Sequence, residues 1–297
     1  MKKNIAPVRF PLFVVAGMPR GATTFLYNYL EKHPGIFLPF RKEVNYFTVN
    51  YDRGVKWYHS LYKNRQPHQI AGDISPPCFL DPSSLGRMAA YDPDIKVILV
   101  IRDPVEWVLS FYQQFNSFTF NMPSFADFLE GYDYRANNKV LRVESKNNVL
   151  VDRIDLFRKT FGSHLLLYDY GFFKQNVLTV LQVIERFIGV DGYFNQNNFQ
   201  NLKINASGRN NIKLISYLLS REWLIAPLQY VVPRKITLYF RDTFDRRSVK
   251  KQQRETAFQH PEENIRLAET VLGSQRDTIT KQFADRPIQL GTGERFP

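Results

Sequence analysis

Two short runs carry residue types that can hold an anion. The first is Gly17-Met18-Pro19-Arg20-Gly21-Ala22-Thr23-Thr24. A glycine-bearing loop ahead of a helix offers backbone N–H groups and the positive helix end to an anion. Thr23 and Thr24 add hydroxyl donors, and Arg20 adds a fixed cation. This reads as a phosphate cradle by position and by chemistry; the other reading is a plain turn between strand and helix. A Walker A loop needs a glycine, four residues, then Gly-Lys-Ser/Thr. Counted from Gly17, those places hold Ala22 and Thr23, so the lysine that grips the terminal phosphates is missing. A nucleoside triphosphatase is therefore disfavoured. The second run is Arg102-Asp103-Pro104-Val105-Glu106-Trp107-Val108-Leu109-Ser110. Arg102 and Ser110 can take a second phosphate. Alternatively, Arg102 pairs locally with Asp103 or Glu106, and Ser110 faces solvent.

The flanking elements decide whether these residues can meet. Phe13 to Ala16 is a continuous apolar run ended by Gly17 and reads as a buried strand. Thr23 to Lys32 follows as a helix and stops at His33-Pro34-Gly35. Lys96 to Ile101 is a second buried strand, with Asp103 as N-cap and Pro104 at the first position of the next helix. Arg102 thus sits at the carboxyl end of a strand, where open α/β sheets bind ligands. Gln69 to Ile74 and Leu165 to Tyr168 read as further strands, and Pro82 to Tyr91, Phe172 to Ile188 and Pro261 to Phe283 as helices. Alternation of this kind predicts an α/β fold: one P-loop-like domain with a central parallel sheet flanked by helices, plus C-terminal packing helices. The core spans about 11–190, an Asn- and Gln-rich stretch about 191–211, and the C-terminal helical part about 212–285. The tail from Pro287 reads as loose.

Together the motifs resemble the sulfotransferases that use 3′-phosphoadenosine 5′-phosphosulfate (PAPS). The resemblance rests on strand–Pro-Arg-Gly-x-Thr-Thr–helix, then roughly eighty residues later strand–Arg-Asp-Pro–helix with a serine and a tyrosine. Arg41-Lys42-Glu43-Val44-Asn45-Tyr46-Phe47 and Gly54-Val55-Lys56-Trp57-Tyr58 are similar to blocks of the heparan-sulfate-type and related bacterial members. Ser75-Pro76-Pro77 and Asn205-Ala206-Ser207-Gly208-Arg209 resemble two later segments, the second a loop that closes over the donor.

The resemblance implies in-line transfer of a sulfuryl group to an acceptor hydroxyl, leaving 3′,5′-bisphosphoadenosine (PAP), with no metal. It places Pro19, Arg20, Gly21, Ala22, Thr23 and Thr24 on the 5′-phosphosulfate and Arg102 and Ser110 on the 3′-phosphate. Ser207, Gly208 and Arg209 would close over the donor. Arg20 would stabilise charge on the leaving group, and Glu43 would be the general base; Glu43 otherwise reads as a surface acid paired with Arg41 or Lys42. Lys42, Asn45, Trp57 and Ser75 would face the acceptor, expected to be a carbohydrate or glycolipid. Two positions depart from the pattern. Ala22 stands where glycine is usual, which is free of strain if the backbone there is already helical, as expected. Asn45 stands where histidine is frequent. The alternatives are transfer to a small-molecule hydroxyl or amine, or a non-catalytic nucleotide- or nucleic-acid-binding protein.

Composition sets the frame. The chain has 297 residues, 44% of them hydrophobic, which excludes a disordered or fibrous protein. Forty Lys and Arg against 28 Asp and Glu give a formal charge of +12, which favours an anionic partner. Donor phosphates take part of that charge. A basic cluster from Arg234 to Arg254 reads as a solvated face, or as a contact with an acidic acceptor or an anionic membrane, and nucleic acid becomes a minor alternative. The single cysteine, Cys78, excludes an intrachain disulfide or a multi-cysteine metal site, and reads as buried packing. No signal peptide or transmembrane run is read, so the expected location is cytoplasmic. Tyr46, Trp57 and Tyr58 read equally as sugar-stacking rings or as core.

Overall fold

The computed structural model describes residues 11–40, 42–118, 122–136, 139–199 and 260–296. Strand β1 (Phe13–Gly17) leads through the glycine loop into α1 (Thr23–Leu30). Next come β2 (Ile36–Phe37), α2 (Gly54–Ser60), β3 (Ile70–Ile74), α3 (Ser83–Tyr91), β4 (Lys96–Ile101) and α4 (Pro104–Phe118). α5 (Phe125–Glu130), a hairpin of β5 (Tyr132–Ala136) and β6 (Lys139–Val143), and α6 (Val149–Phe161) precede β7 (Leu165–Asp169). α7 (Tyr170–Gln175), α8 (Val177–Ile188), α9 (Glu262–Phe283) and β8 (Ile288–Leu290) follow.

The main sheet has six strands in the order β2-β3-β1-β4-β7-β8. Five are parallel; only β8 runs antiparallel, against β7. The parallel strands are apolar on both faces because helices cover both. All five residues of β1 are buried, and so are five of the six in β4.

Strand order fixes where a ligand can bind. From adjacent β1 and β4, the chain leaves in opposite directions, toward β2 and toward β7. The loops therefore diverge above that pair and open a crevice at the carboxyl edge. The loop after β1 and the Arg102 segment both begin there.

Helix α4 starts as the sequence implies. Asp103 Oδ1 accepts the Glu106 N–H at 2.9 Å, satisfying a first-turn donor. α9 packs on α4, α5 and α6. Its buried Gln275 accepts the Leu150 N–H (3.0 Å) and donates to the Ser145 carbonyl (2.6 Å), tying the C-terminal helix to the start of α6.

Two expectations are corrected. The single helix from Phe172 to Ile188 is two, broken at Asn176, whose φ of −128° leaves the helical region. The tail is not loose throughout. Residues 288–290 add an edge strand, and Asp169 N–H donates to Pro287 O at 2.8 Å. The segments 200–259 lie outside the described residues, and with them Ser207, Gly208, Arg209 and the Arg234–Arg254 cluster.

Candidate active site

The loop after β1 is shaped by contact with β4. Met18 N–H donates to Val100 O at 2.9 Å, and Gly21 N–H turns back to Met18 O at 3.0 Å. A Cβ on Gly21 would lie 2.3 Å from Val100 Cγ1 and 2.9 Å from Met18 O. Only glycine fits there. The left-handed turn falls on its neighbours instead: Arg20 has φ 64° and Ala22 φ 59°. The expectation of an already helical backbone at Ala22 is thus wrong, since tertiary contact with β4 dictates the loop's path. An L-residue in this region costs about 1–2 kcal/mol, and glycine's extra chain entropy offsets part of that. Ala22→Gly should therefore stabilise the protein by about 0.5–1 kcal/mol. The readout is a thermal midpoint raised by about 1–3 °C.

α4 buttresses the loop. Trp107 is fully buried, and its Nε1 donates to Pro19 O at 3.1 Å. Arg20 Nε donates to Ser110 Oγ at 3.0 Å, and Arg102 Nη1 donates to Arg20 O at 3.1 Å. Arg20, Arg102 and Ser110, far apart in sequence, therefore meet at the crevice. Burial, and secondarily Arg102, pulls the Arg20 pKa below its ordinary value. Thr23 is buried and Thr24 half-buried at the start of α1. Arg102 does pair with Glu106 (Nη2 to Oε2, 3.2 Å), the local bridge that the sequence also allowed, and lies over the Tyr170 ring at 4.8 Å. Its Nε is buried without a hydrogen-bond partner among the described residues. An uncompensated buried donor of this kind asks for an acceptor. A Cβ-free cradle at Gly21, two cations and an orphaned donor suit a phosphate-bearing group.

A second wall comes from the segment between β2 and α2. Glu43 and Asn45 both have positive φ, 62° and 54°. Three bonds hold them there. Glu43 N–H donates to Ile74 O (3.1 Å), Asn45 N–H to Ser75 Oγ (2.9 Å), and Asn50 Nδ2 to Val44 O (2.8 Å). Strained backbone held by several bonds is frequent at functional sites. The Glu43 carboxylate is half-exposed and takes a hydrogen bond from Lys42 Nζ at 2.5 Å. Asn45 Oδ1 is buried and unpartnered among the described residues.

A family model for the sulfotransferase domain matches residues 11–216. The chain belongs to the sulfotransferase family. Human heparan sulfate glucosamine 3-O-sulfotransferase 6 is 35% identical over 117 residues, which are 39% of this chain and 34% of that protein. The membrane-associated sulfotransferase kil1 of Dictyostelium discoideum is 36% identical over 105 residues, 34% of this chain and 22% of that protein. The match thus spans about a third or less of these curated relatives. The crystal structure of a sulfotransferase from Alicyclobacillus acidocaldarius shares the fold. It aligns at TM-score 0.53 and 20% identity, over 75% of this chain and 97% of that one.

Several residues of this sulfotransferase chain have roles that the sequence did not announce. Asp73 is fully buried at the end of β3. It accepts from Tyr58 Oη and from Ser75 Oγ, each at 2.7 Å, and Ser75 in turn accepts the Asn45 amide. The available signal was a carboxylate inside an apolar strand run, Gly72-Asp73-Ile74. Burial outweighs both hydrogen bonds and raises the Asp73 pKa to about 6. Between pH 4 and pH 6 the folded state holds a proton that the unfolded chain releases, so rising pH costs stability, up to about 3 kcal/mol. Asp73→Asn removes that titration. In urea titrations its stability relative to wild type should improve between pH 4.5 and pH 7.5. A constant difference across that range would show that Asp73 does not titrate there.

Tyr46 and Tyr58 are buried and stacked at 4.1 Å, so they are core. Trp57 remains half-exposed, with Arg53 4.1 Å above its ring. His59 packs against Tyr91 with Nε2 to Oη at 2.7 Å. Cys78 is buried and free, as expected. Among the described residues no cluster of His, Cys, Asp and Glu could hold a metal, and no helix is long and apolar enough to cross a membrane.

Proposed function

We propose that the protein moves a sulfuryl group from PAPS to a hydroxyl of a carbohydrate or glycolipid. The supporting observation is the junction of Arg20, Ser110 and Arg102 at the sheet's switch point, with Arg102 Nε buried and unpartnered. Bound PAPS would supply the SO3 group on a phosphate leaving group. The loop amides, Thr23 and Thr24 would hold its 5′ end, and Arg102 its 3′-phosphate. Arg20 donates hydrogen bonds and charge to the oxygen that gains charge as the old S–O bond breaks. As a guanidinium it acts as a cation and hydrogen-bond donor and not as a proton donor. Glu43 takes the acceptor hydroxyl's proton as the new S–O bond forms. Lys42, Asn45 and the exposed edge of Trp57 would meet the acceptor, while Ser75 supports Asn45 from behind. PAP leaves as product, and no metal enters the scheme.

The acceptor class follows from relatives named for heparan sulfate glucosamine. A cytoplasmic location belongs to the same proposal and rests on the lone, unpaired cysteine. Calorimetry with PAP, AMP and ATP tests the donor half. PAP should bind at least tenfold more tightly than AMP, and Arg102→Ala should abolish most of that preference. Equal binding of all three nucleotides would leave a general nucleotide-binding protein as the reading. Transfer of labelled sulfur from PAPS onto a panel of desulfated glycans tests the acceptor half.

A further inference from the structure

We propose that Tyr170, which opens α7, and Lys174, in its last turn, complete the anion subsite around Arg102 and set the preference for a nucleotide with a second phosphate. This rests on the donor reading above and adds two residues to it. Tyr170 lies just past the carboxyl end of β7, beside the end of β4. The Arg102 guanidinium sits 4.8 Å from its ring centroid and Lys174 Nζ 5.1 Å from the same centroid. One phenol ring thus gathers two cations. Arg20 is also close enough to feel both Tyr170 and Arg102 electrostatically.

The charge balance of this corner points to a ligand. Arg20 and Arg102 meet, Lys174 shares the Tyr170 ring with Arg102, and among the described residues only Glu106 pairs with any of the three, through a carboxylate that is 53% exposed. The neighbouring acids are committed to helix starts. Asp169 accepts the Phe172 N–H at 2.6 Å, and Asp103 accepts the Glu106 N–H at 2.9 Å. Like charges gathered around one ring repel unless an anion lies among them. The buried, unpartnered Arg102 Nε marks the side on which an acceptor oxygen is missing. A phosphate monoester dianion has the charge and the number of acceptors to satisfy this set. Tyr170 fixes the plane of the guanidinium, a role that the aromatic face performs and an aliphatic side chain does not. The Asp169 cap and the Asp169 N–H bond to Pro287 O anchor the start of α7.

Calorimetry on the full chain tests this with PAP and AMP as probes. Lys174→Gln changes an exposed side chain and Tyr170→Leu a half-buried one; melting curves establish that both are folded. Lys174→Gln should weaken PAP about fivefold and Tyr170→Leu about tenfold, each leaving AMP within twofold. The PAP effect of Lys174→Gln should shrink in high salt. A wild-type preference for PAP that survives in both variants would overturn the inference alone. So would an equal loss of PAP and AMP. Wild-type protein that binds PAP no better than AMP would overturn the donor reading and this inference with it.

Discussion

Arg20→Ala will cut sulfuryl transfer by a hundred- to a thousandfold while the protein stays folded. The magnitude is that of removing one preorganised donor from a developing negative charge. Preorganisation is visible in three ways. The Arg20 backbone sits in the left-handed region at φ 64°, its carbonyl is held by Arg102, and its Nε is held by Ser110. Its side chain therefore reaches the crevice without a search through rotamers. Among the described residues no carboxylate pairs with it, so its field is not spent inside the protein. Burial already acts against the charge, which is the condition under which an incoming anion gains most from it. Arg20→Lys should recover part of the rate, because it restores the charge but not the planar fork that bonds Ser110. The measurement is single-turnover transfer of labelled sulfur, with PAP affinity determined in parallel. Turnover within tenfold of wild type in Arg20→Ala would sink the assignment.

The sequence made the loop after β1 and the start of α4 legible because each is bounded by strong local signals. A buried apolar strand, a glycine or Asp-Pro start and an amphipathic helix are all encoded within about twenty residues. Asp103 and Pro104 perform the capping roles that their types imply. What was not legible depends on contacts between distant segments. The loop's one interior glycine is spent on clearance from Val100, so the left-handed turn passes to Arg20 and Ala22. No local rule tells which of those two demands a glycine will meet. β8 is three residues long with only Gln289 fully buried, too short for a period to show. It exists because β7 offers an open edge. The break at Asn176 is similar: Phe172 to Ile188 keeps apolar residues through both helices, and only the backbone turns.

Asp73 shows the same limit at the site itself. Its type and its place in a strand were readable, but the partners that give it meaning, Tyr58 and Ser75, come from elements that fold against it. Ser75 was expected to face the acceptor. Its hydroxyl donates to Asp73 and accepts the Asn45 amide, which ties it to the neighbouring loop.

That loop carries the second large effect. Glu43→Gln should lower turnover by a hundredfold or more and leave PAP affinity within twofold. A general base contributes about 10²- to 10⁴-fold, and glutamine keeps the shape while losing the proton acceptor. Two readings of Glu43 compete, and the structure contains the contact each one needs. The carboxylate bonds Lys42 at 2.5 Å, as a surface pair would. Yet an ordinary surface pair gives no reason for a glutamate in left-handed backbone, tied through its own amide to Ile74 O. Such strain persists only where the surroundings impose it, and here the bonds to Ile74 and Ser75, at the end of the strand beside β1, impose it. An exposed pair contributes about 0–1 kcal/mol, so under the surface reading Glu43→Gln would be silent in turnover and nearly silent in stability. Under the base reading it is silent in stability alone. Lys42→Met separates the remaining roles. If Lys42 contacts the acceptor or the sulfonate, its loss raises KM or lowers kcat beyond what freeing Glu43 from its partner would do. If it only pairs with Glu43, turnover in Lys42→Met, Glu43→Gln matches that in Glu43→Gln. Full turnover in Glu43→Gln, with transfer otherwise intact, removes Glu43 as the base.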